Sequence, residues 1–534
     1  MKPTKQYPVK PIYNCIILVV MGCCCGNAAA QNLAIKCYFN HPVNTVISSG
    51  MNAVYLNVSF PDTIAAYIKR AKFTVDIAMY NYTSNINSNV YKIAAAANSA
   101  AARGIKIRWI YNGTSATNNT GLSLLSPLIK TFASANYSNY IMHNKFMLID
   151  VNSADSNDAV LQTGSYNWSD AQTTEDYNNI VIIQSRQVSL AYYQEFNKMW
   201  GGSGANPVAG AAMFSSFKSA SSQTQFNVNG TPIEVYFSPK DSAGKQLLAS
   251  ITTANYDLFF AVYTFTDNVI ANLIKNKYNS GLFVRGIMDE FSLPFNAYST
   301  LSPVLGSNLL INSGAYLYHN KIMLIDALNP ASDPQVFTGS FNWTGQAQTS
   351  NDENLIVIHD AAIANQYYQS MCKDYTGLGG TPCVAMPCPG TNTPIISNVR
   401  GNSYQWQVNT GNGFTNIVNN ASYDGTNTIN LTIANPPSNW YGFQYKCIVN
   451  GTTSSDTANL KFTAYWNGST NTAWENTANW NCGVLPDENT DVIINNGTQY
   501  FPVVNTSTAC KSIRLSKGTA LLLMNKINLL LKGK

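Results

Sequence analysis

The chain contains a second copy of itself, and that repetition limits the fold more than any other feature. "IKCYFNHPV" from Ile35 is answered by "IEVYFSPKD" from Ile233, and "FTVDIAMYNYT" from Phe73 by "YDLFFAVYTFT" from Tyr256. "ARGIKIRWIYNG" from Ala102 is answered by "SGLFVRGIMDE" from Ser280. Then come "HNKFMLID" at His143–Asp150 and "HNKIMLID" at His319–Asp326, followed by "QTGSYNWSDAQT" from Gln162 and "FTGSFNWTGQAQT" from Phe337. "NNIVII" and "NLIVI" close the two runs. The order never changes, so the chain holds a duplicated unit of roughly 180 residues, the size of one domain. Within each copy, short runs rich in β-branched residues ("TVDIAMY", "IKIRWIY", "FMLID") alternate with helix-forming stretches; "SNVYKIAAAANSAAARG" stops at Gly104. This alternation predicts an α/β class: two pseudo-symmetric α/β/α sandwich domains with mixed sheets, over residues 31–215 and 226–380.

From Cys388 onward the texture changes. Helix-forming runs vanish and turn dipeptides recur. "SYQWQV" and "FQYKCIV" look like the Trp and Cys strands of an immunoglobulin-like β-sandwich over residues 388–463, and Tyr445 sits two residues before Cys447, as a tyrosine corner requires. Residues 464–534 read as a small β-rich module.

The first 30 residues read as an export signal: basic "MKPTKQYPVK", apolar "CIILVVMG", then small residues in "NAAAQ" with a cut after Ala30. Lipoprotein processing at Cys23 is the rival reading. Charged residues make up only 11% of the chain, which suits a secreted protein. Four of the eleven cysteines leave with the signal, Cys37 stands alone, and Cys372, Cys383, Cys388, Cys447, Cys482 and Cys510 are expected as bridges. No CxxC pair occurs and histidine is absent after His359, so no metal site is expected.

The two His-x-Lys phrases carry the chemistry. In a strand, residues two apart share a face, so His143, Lys145 and Met147 point one way and Asn144, Phe146 and Asp150 the other. His319 and Lys321 repeat the arrangement. A polar pair aimed inward from an apolar strand is costly without partners. Downstream in each copy lies Gly-Ser-x-Asn: Gly164, Ser165 and Asn167, then Gly339, Ser340 and Asn342. Glycine admits close approach of a ligand to backbone, serine and asparagine donate hydrogen bonds, and lysine supplies a point charge. Together they predict a pocket for a tetrahedral oxyanion such as phosphate. Two halves would bring two histidines to one phosphate from opposite sides. One attacks phosphorus in line; the other protonates the departing oxygen and then activates water.

His-x-Lys-x4-Asp followed by Gly-Ser-x-Asn, present twice and in register over residues 35–375, resembles the signature of the phospholipase D superfamily. The resemblance implies a two-step phosphodiester transfer through a phosphohistidine, with no metal or other cofactor. Carried onto this chain, His143 and His319 are the catalytic pair, Lys145 and Lys321 the phosphate clamps, and Asn167 and Asn342 their helpers. Ser165, Ser340, Gly164 and Gly339 line the phosphate subsite. Asp150 and Asp326 are the motif's acidic residues, which strand alternation assigns to structural support. The family often places a glutamate after Gly-Ser-x-Asn to hold a histidine's other nitrogen. Copy two has Glu353 there; copy one has "EDYNN", which puts Tyr177 or Asn178 at that place. Glu353 is expected to support His143, making His143 the nucleophile and His319 the general acid.

Export and the lack of a long apolar run favour a secreted phospholipase D over a phospholipid synthase, with lipid head groups as substrate. A metal-independent extracellular nuclease acting on DNA is the alternative, although a net charge of +5 is small for a nucleic-acid groove. A non-enzymatic adhesin would use the β modules to hold a glycan or cell-surface ligand, but leaves both phrases unexplained. With both halves in one chain, a monomer is expected. Both motif asparagines sit in N-x-[ST] triplets, which a eukaryotic secretory route would risk glycosylating, so a bacterial exported protein is expected.

Overall fold

The computed structural model describes residues 34–48, 51–114, 116–280, 282–328, 332–380, 388–397, 401–455, 457–494, 498–515 and 519–533; the expected leader and Cys383 lie outside them. The duplicated region forms two eight-stranded mixed sheets of one strand order. In the first, the order is Val54–Tyr55, Ile35–Phe39, Asn179–Gln184, Val160–Gly164, Lys145–Ile149, Thr74–Met79, Lys106–Tyr111, Lys130–Ala133. In the second it is Gln225–Val228, Thr231–Ser238, Glu353–His359, Gln335–Gly339, Lys321–Ile325, Asp257–Val262, Phe283–Asp289, Leu309–Asn312. The copies part at one edge. Val54–Tyr55 pairs in parallel with its neighbour, whereas Gln225–Val228 pairs antiparallel.

Helices cover each sheet because their apolar residues fall on one stripe. Phe60–Arg70 starts with Pro61, has Asp62 in its first turn and Lys69 and Arg70 in its last, and buries Phe60, Ile64, Ala65 and Ile68. Between the halves lie Arg186–Trp200 and Ala361–Gly377, capped by the side chains of Ser185 and Asp360. Ala361–Gly377 is buried nearly all round. Its polar groups staple the halves together: Gln366 Oε1 accepts from Cys37 Sγ at 2.6 Å, and Gln369 Oε1 accepts from Ala53 N at 2.9 Å. The motif strands serve two cores at once. Phe146, Leu148, Ile322 and Leu324 share one core between the halves, while Met147 and Ile149, or Met323 and Ile325, face an outer core. Asn144 and Asn320, in phase with the inner residues and just ahead of each strand, bond to Asn354 and Asn179 of the opposite half.

The C-terminal region is β-rich. Thr393–Ile396, Asn430–Ile433 and Tyr423–Asp424 form one sheet; Tyr404–Asn409 and Gln444–Val449 centre another, with Trp406 opposite Cys447 and both in a common core. The Tyr445 hydroxyl meets that of Tyr423 at 3.4 Å, not the backbone group a tyrosine corner would give it. Two of the cysteines expected in bridges are not. Cys388 bonds to Cys482, and Cys372 is disulfide-bonded, but Cys447 and Cys510 are buried free thiols in separate apolar cores and cannot meet. In the last module, Ser512–Leu515, Leu522–Leu523 and Leu529–Leu531 stack in parallel, one by one, on Thr490–Ile494, Val503–Val504 and Thr508–Cys510. The expected division at residue 464 falls inside the strand Phe462–Trp466: Phe462 packs in the sandwich core, Ala464 and Trp466 in the last one. Among the described residues no helix is long and apolar enough to cross a membrane.

Candidate active site

His143 and His319 are each 5% exposed, and Lys145 and Lys321 are buried beside them. Each histidine is held from the opposite half. Glu353 Oε2 lies 2.7 Å from His143 Nδ1, and Asn178 Oδ1 lies 3.0 Å from His319 Nδ1. Asn178, not Tyr177, therefore occupies the place corresponding to Glu353; Tyr177 stacks between His41 and Tyr318 instead. The Asn178 amide is oriented by its surroundings. Its nitrogen donates to the carbonyls of Gln172 and Asp176 at 3.0 and 3.1 Å, so its oxygen faces the imidazole. Nδ1–H of His319 must donate to it, which leaves Nε2 as the free nitrogen. A carboxylate acceptor at His143 has the same consequence.

Lys145 Nζ donates to His143 O at 2.8 Å and Lys321 Nζ to His319 O at 2.7 Å, so each ammonium is folded back beside its own histidine. Tyr80 and Tyr263 back these pairs, their ring centres 5.0 and 5.2 Å from the two ammoniums and 4.8 and 5.1 Å from the imidazoles. Burial, then Lys145 and Lys321, hold His143 well below the ordinary imidazole value. Burial, then Lys321, Lys145 and His143, do the same to His319. Burial brings Lys145 down to about 7 and, with Lys145, holds Lys321 well below its usual value. Burial lifts Glu353 to about 7 against the pull of Lys145. Groups from both halves thus act on one another across the seam. An anion placed among them restores charge to the lysines.

The glycines and serines are engaged within the protein. A Cβ on Gly164 would lie 2.3 Å from Asn179 O, and one on Gly339 would lie 2.4 Å from Asn354 O, with φ at +145° and +131°. Close strand packing requires these glycines. Ser165 Oγ donates to Asn178 Oδ1 and accepts from Asn179 N; Ser340 Oγ donates to Glu353 Oε2 and accepts from Asn354 N. Both hydroxyls are spent on orienting the histidines' partners. By contrast, Asn167 Oδ1 and Asn342 Oδ1 are buried without a partner among the described residues. An amide oxygen only accepts, so any hydrogen bond from these two to a phosphate oxygen has to come from their Nδ2 groups. Asp150 and Asp326 cap the far strand ends: Asp150 accepts from the backbone N–H groups of Lys72, Phe73 and Thr74, and Asp326 from those of Asn255, Tyr256 and Asp257.

Several groups escaped the sequence reading. Asn179 donates to Asn320 Oδ1 at 2.8 Å and Asn354 to Asn144 Oδ1 at 2.9 Å, while Thr338 and Thr163 bond to Asn179 and Asn354. This symmetric lattice sutures the halves below the histidines. Its letters, like Tyr80 and Tyr263, recur at matching places in both copies, which was the signal available. Lys218 had none, since it lies in the unrepeated linker. Buried, it pairs with Glu195 and, at 2.6 Å, with Asp352, whose carbonyl accepts from His143 N at 2.9 Å.

The family model described as "Cardiolipin synthase, PLD-like domain" matches residues 64–200 and 247–375, and a domain of unknown function matches residues 465–534. Phospholipase D of Rickettsia bellii is 28% identical over 140 residues, 26% of this chain and 66% of that protein. Mitochondrial cardiolipin hydrolase of Xenopus tropicalis is 30% identical over 132 residues, 24% of this chain and 59% of that protein. The chain therefore spans just under two thirds of the length of the curated relatives it matches. The crystal structure of phosphatidylserine synthase from Haemophilus influenzae aligns with a TM-score of 0.45 at 12% identity, covering 64% of this chain and 87% of that chain. With its motifs in both copies and both copies matched by one family model, the chain belongs to the phospholipase D superfamily.

Proposed function

We propose that this protein is an exported bacterial phosphodiesterase that hydrolyses phospholipid head groups through a phosphohistidine on His143. The observation that carries this reading is the crosswise support of the histidines: a carboxylate holds His143 and an amide holds His319. Neutral His143, with Nδ1–H on Glu353, presents the Nε2 lone pair to phosphorus. The P–N bond forms as the P–O bond to the leaving group breaks, and the positive charge on the phosphohistidine ring is stabilised by Glu353. His319 gives its Nε2 proton to the departing oxygen. In the second step His319 takes a proton from water, the hydroxyl attacks phosphorus, and the P–N bond breaks to restore neutral His143. Substrate loads the acid: the phosphate anion offsets the lysine charges that depress His319. Lys145, Lys321, Asn167 and Asn342 hold the non-bridging oxygens.

The lipid preference is supported by the sparse positive charge and by the names phospholipase D and cardiolipin hydrolase borne by relatives. The full chain, assayed with EDTA, is expected to release choline from phosphatidylcholine and to cleave a p-nitrophenyl phosphodiester. Cutting of single-stranded DNA without choline release would make it a nuclease. Silence on all three would leave a binding protein that acts through its β modules.

A further inference from the structure

The mouth of the site is apolar on one side. After the strand Phe283–Asp289 the chain reads "EFSLPF", and Phe291, Leu293 and Phe295 all point outward; Phe291 is 52% exposed. Exposed Tyr316 and Leu317 stand next to them, because Asn312 Nδ2 donates both to Tyr316 O at 2.8 Å and to Asp289 Oδ2 at 3.1 Å. The rim is preformed. Ser292 Oγ donates to Tyr263 O at 2.9 Å and accepts from Phe265 N at 3.1 Å, which pins the loop to the strand end beside the site. It is also continuous with the chemistry. The Phe291 ring stacks on Tyr263 at 5.5 Å, and Tyr263 lies against His319 at 5.1 Å.

A contiguous set of large exposed apolar side chains marks a surface that meets an apolar partner. Charge indicates what that is. No lysine or arginine occurs between Arg285 and Lys321, and Asp289 and Glu290 are the acidic residues there. A nucleic-acid backbone needs cations along its path; a zwitterionic lipid surface does not, and takes aromatic and aliphatic side chains at its headgroup boundary. The corresponding stretch of the first half is "NGTSATNNT" from Asn112, where Tyr80 bonds to the Asn118 side chain instead of stacking on a phenylalanine. Beside it lies a hollow lined by Asn81, Thr83, Ser84, Thr120, Ser169 and Asp170.

We propose that Phe291, Leu293, Phe295, Tyr316 and Leu317 form a docking rim that seats the protein on a zwitterionic phospholipid surface and presents lipid phosphates to the hollow between His143 and His319. This rests on the phosphodiesterase reading for its purpose but not for its test. The full chain, wild type and Leu293→Ser/Phe295→Ser, is spun with phosphatidylcholine vesicles, and both proteins are assayed on those vesicles and on soluble bis(p-nitrophenyl) phosphate. Val418→Ser, an exposed apolar position in the C-terminal sandwich, is the control. The double variant is expected to lose vesicle binding and vesicle turnover by about tenfold or more, with soluble turnover and melting temperature unchanged; Val418→Ser should lose neither. Equal vesicle binding by wild type and double variant, no vesicle binding by wild type, or salt-sensitive DNA retention that the double variant loses would each overturn the rim. Failure of wild type to cleave the soluble diester would instead strike at the phosphodiesterase reading, and the vesicle-binding result would still decide the rim.

Discussion

The two halves share strand order, motif and suture, yet differ at two places that touch chemistry. Where the second half carries Glu353, the first carries Asn178; where the second half backs its tyrosine with Phe291, the first backs it with Asn118. The first difference divides labour. Both partners accept a hydrogen bond from Nδ1, but only a carboxylate stabilises the cation formed when a ring is phosphorylated. A second buried carboxylate would also need to be charged without water, and burial already lifts Glu353 to about 7. One acid and one amide therefore give two nearly identical imidazoles different tasks at a single desolvation cost.

Glu353→Gln gives the second half the amide chemistry of the first. It should lower kcat by about two to four orders of magnitude with little change in KM, because the lost interaction belongs to the transition state. A loss below tenfold would show that the carboxylate does not set the roles. Next is Lys218→Met. It takes from buried Asp352 its cation, while Glu195 keeps Lys198 at 3.1 Å, and should destabilise the fold by about 3–5 kcal/mol in denaturant titrations. An unchanged midpoint would mean that the pair is not what joins the linker to the His143 segment. Asn178→Ala removes a neutral acceptor from His319 and should cost about 10-fold to 100-fold in kcat, less than Glu353→Gln. The reverse order of the two would exchange the roles of the histidines. Smallest is the pH effect on anion binding. Lys145, pulled down to about 7, must be charged to hold an anion. Competitive inhibition by sulfate should therefore weaken by about tenfold from pH 6 to pH 8. A flat profile would place the anion away from Lys145.

The repeated blocks made the doubled α/β architecture readable, because strand alternation and helix periodicity agree in both copies. His143, Lys145 and their counterparts stood out as polar letters in apolar runs. The crossing of partners between halves was legible only through family resemblance, since nothing local in "NDENL" says which histidine it meets. The alternatives at Tyr177 and Asn178 are resolved by pairing register: Gly164 faces Ile180 as Gly339 faces Leu355, which sets Asn178 opposite Glu353 in the duplication. Gly-Ser-x-Asn looked like ligand contacts throughout, but close strand packing accounts for the glycines and the histidine partners occupy the serines. Lys218 was invisible because linkers carry no periodicity. The free Cys447 was hidden because composition reports how many thiols there are and not which cores enclose them.

In the proposed reaction His143 takes the phosphoryl group and His319 moves protons. Acid-quenched turnover of a labelled phosphodiester, followed by peptide mapping, tests it directly. A phosphohistidine at position 143 is expected to accumulate in His319→Ala and to be absent from His143→Ala. Label on His319, accumulating in His143→Ala, would contradict it.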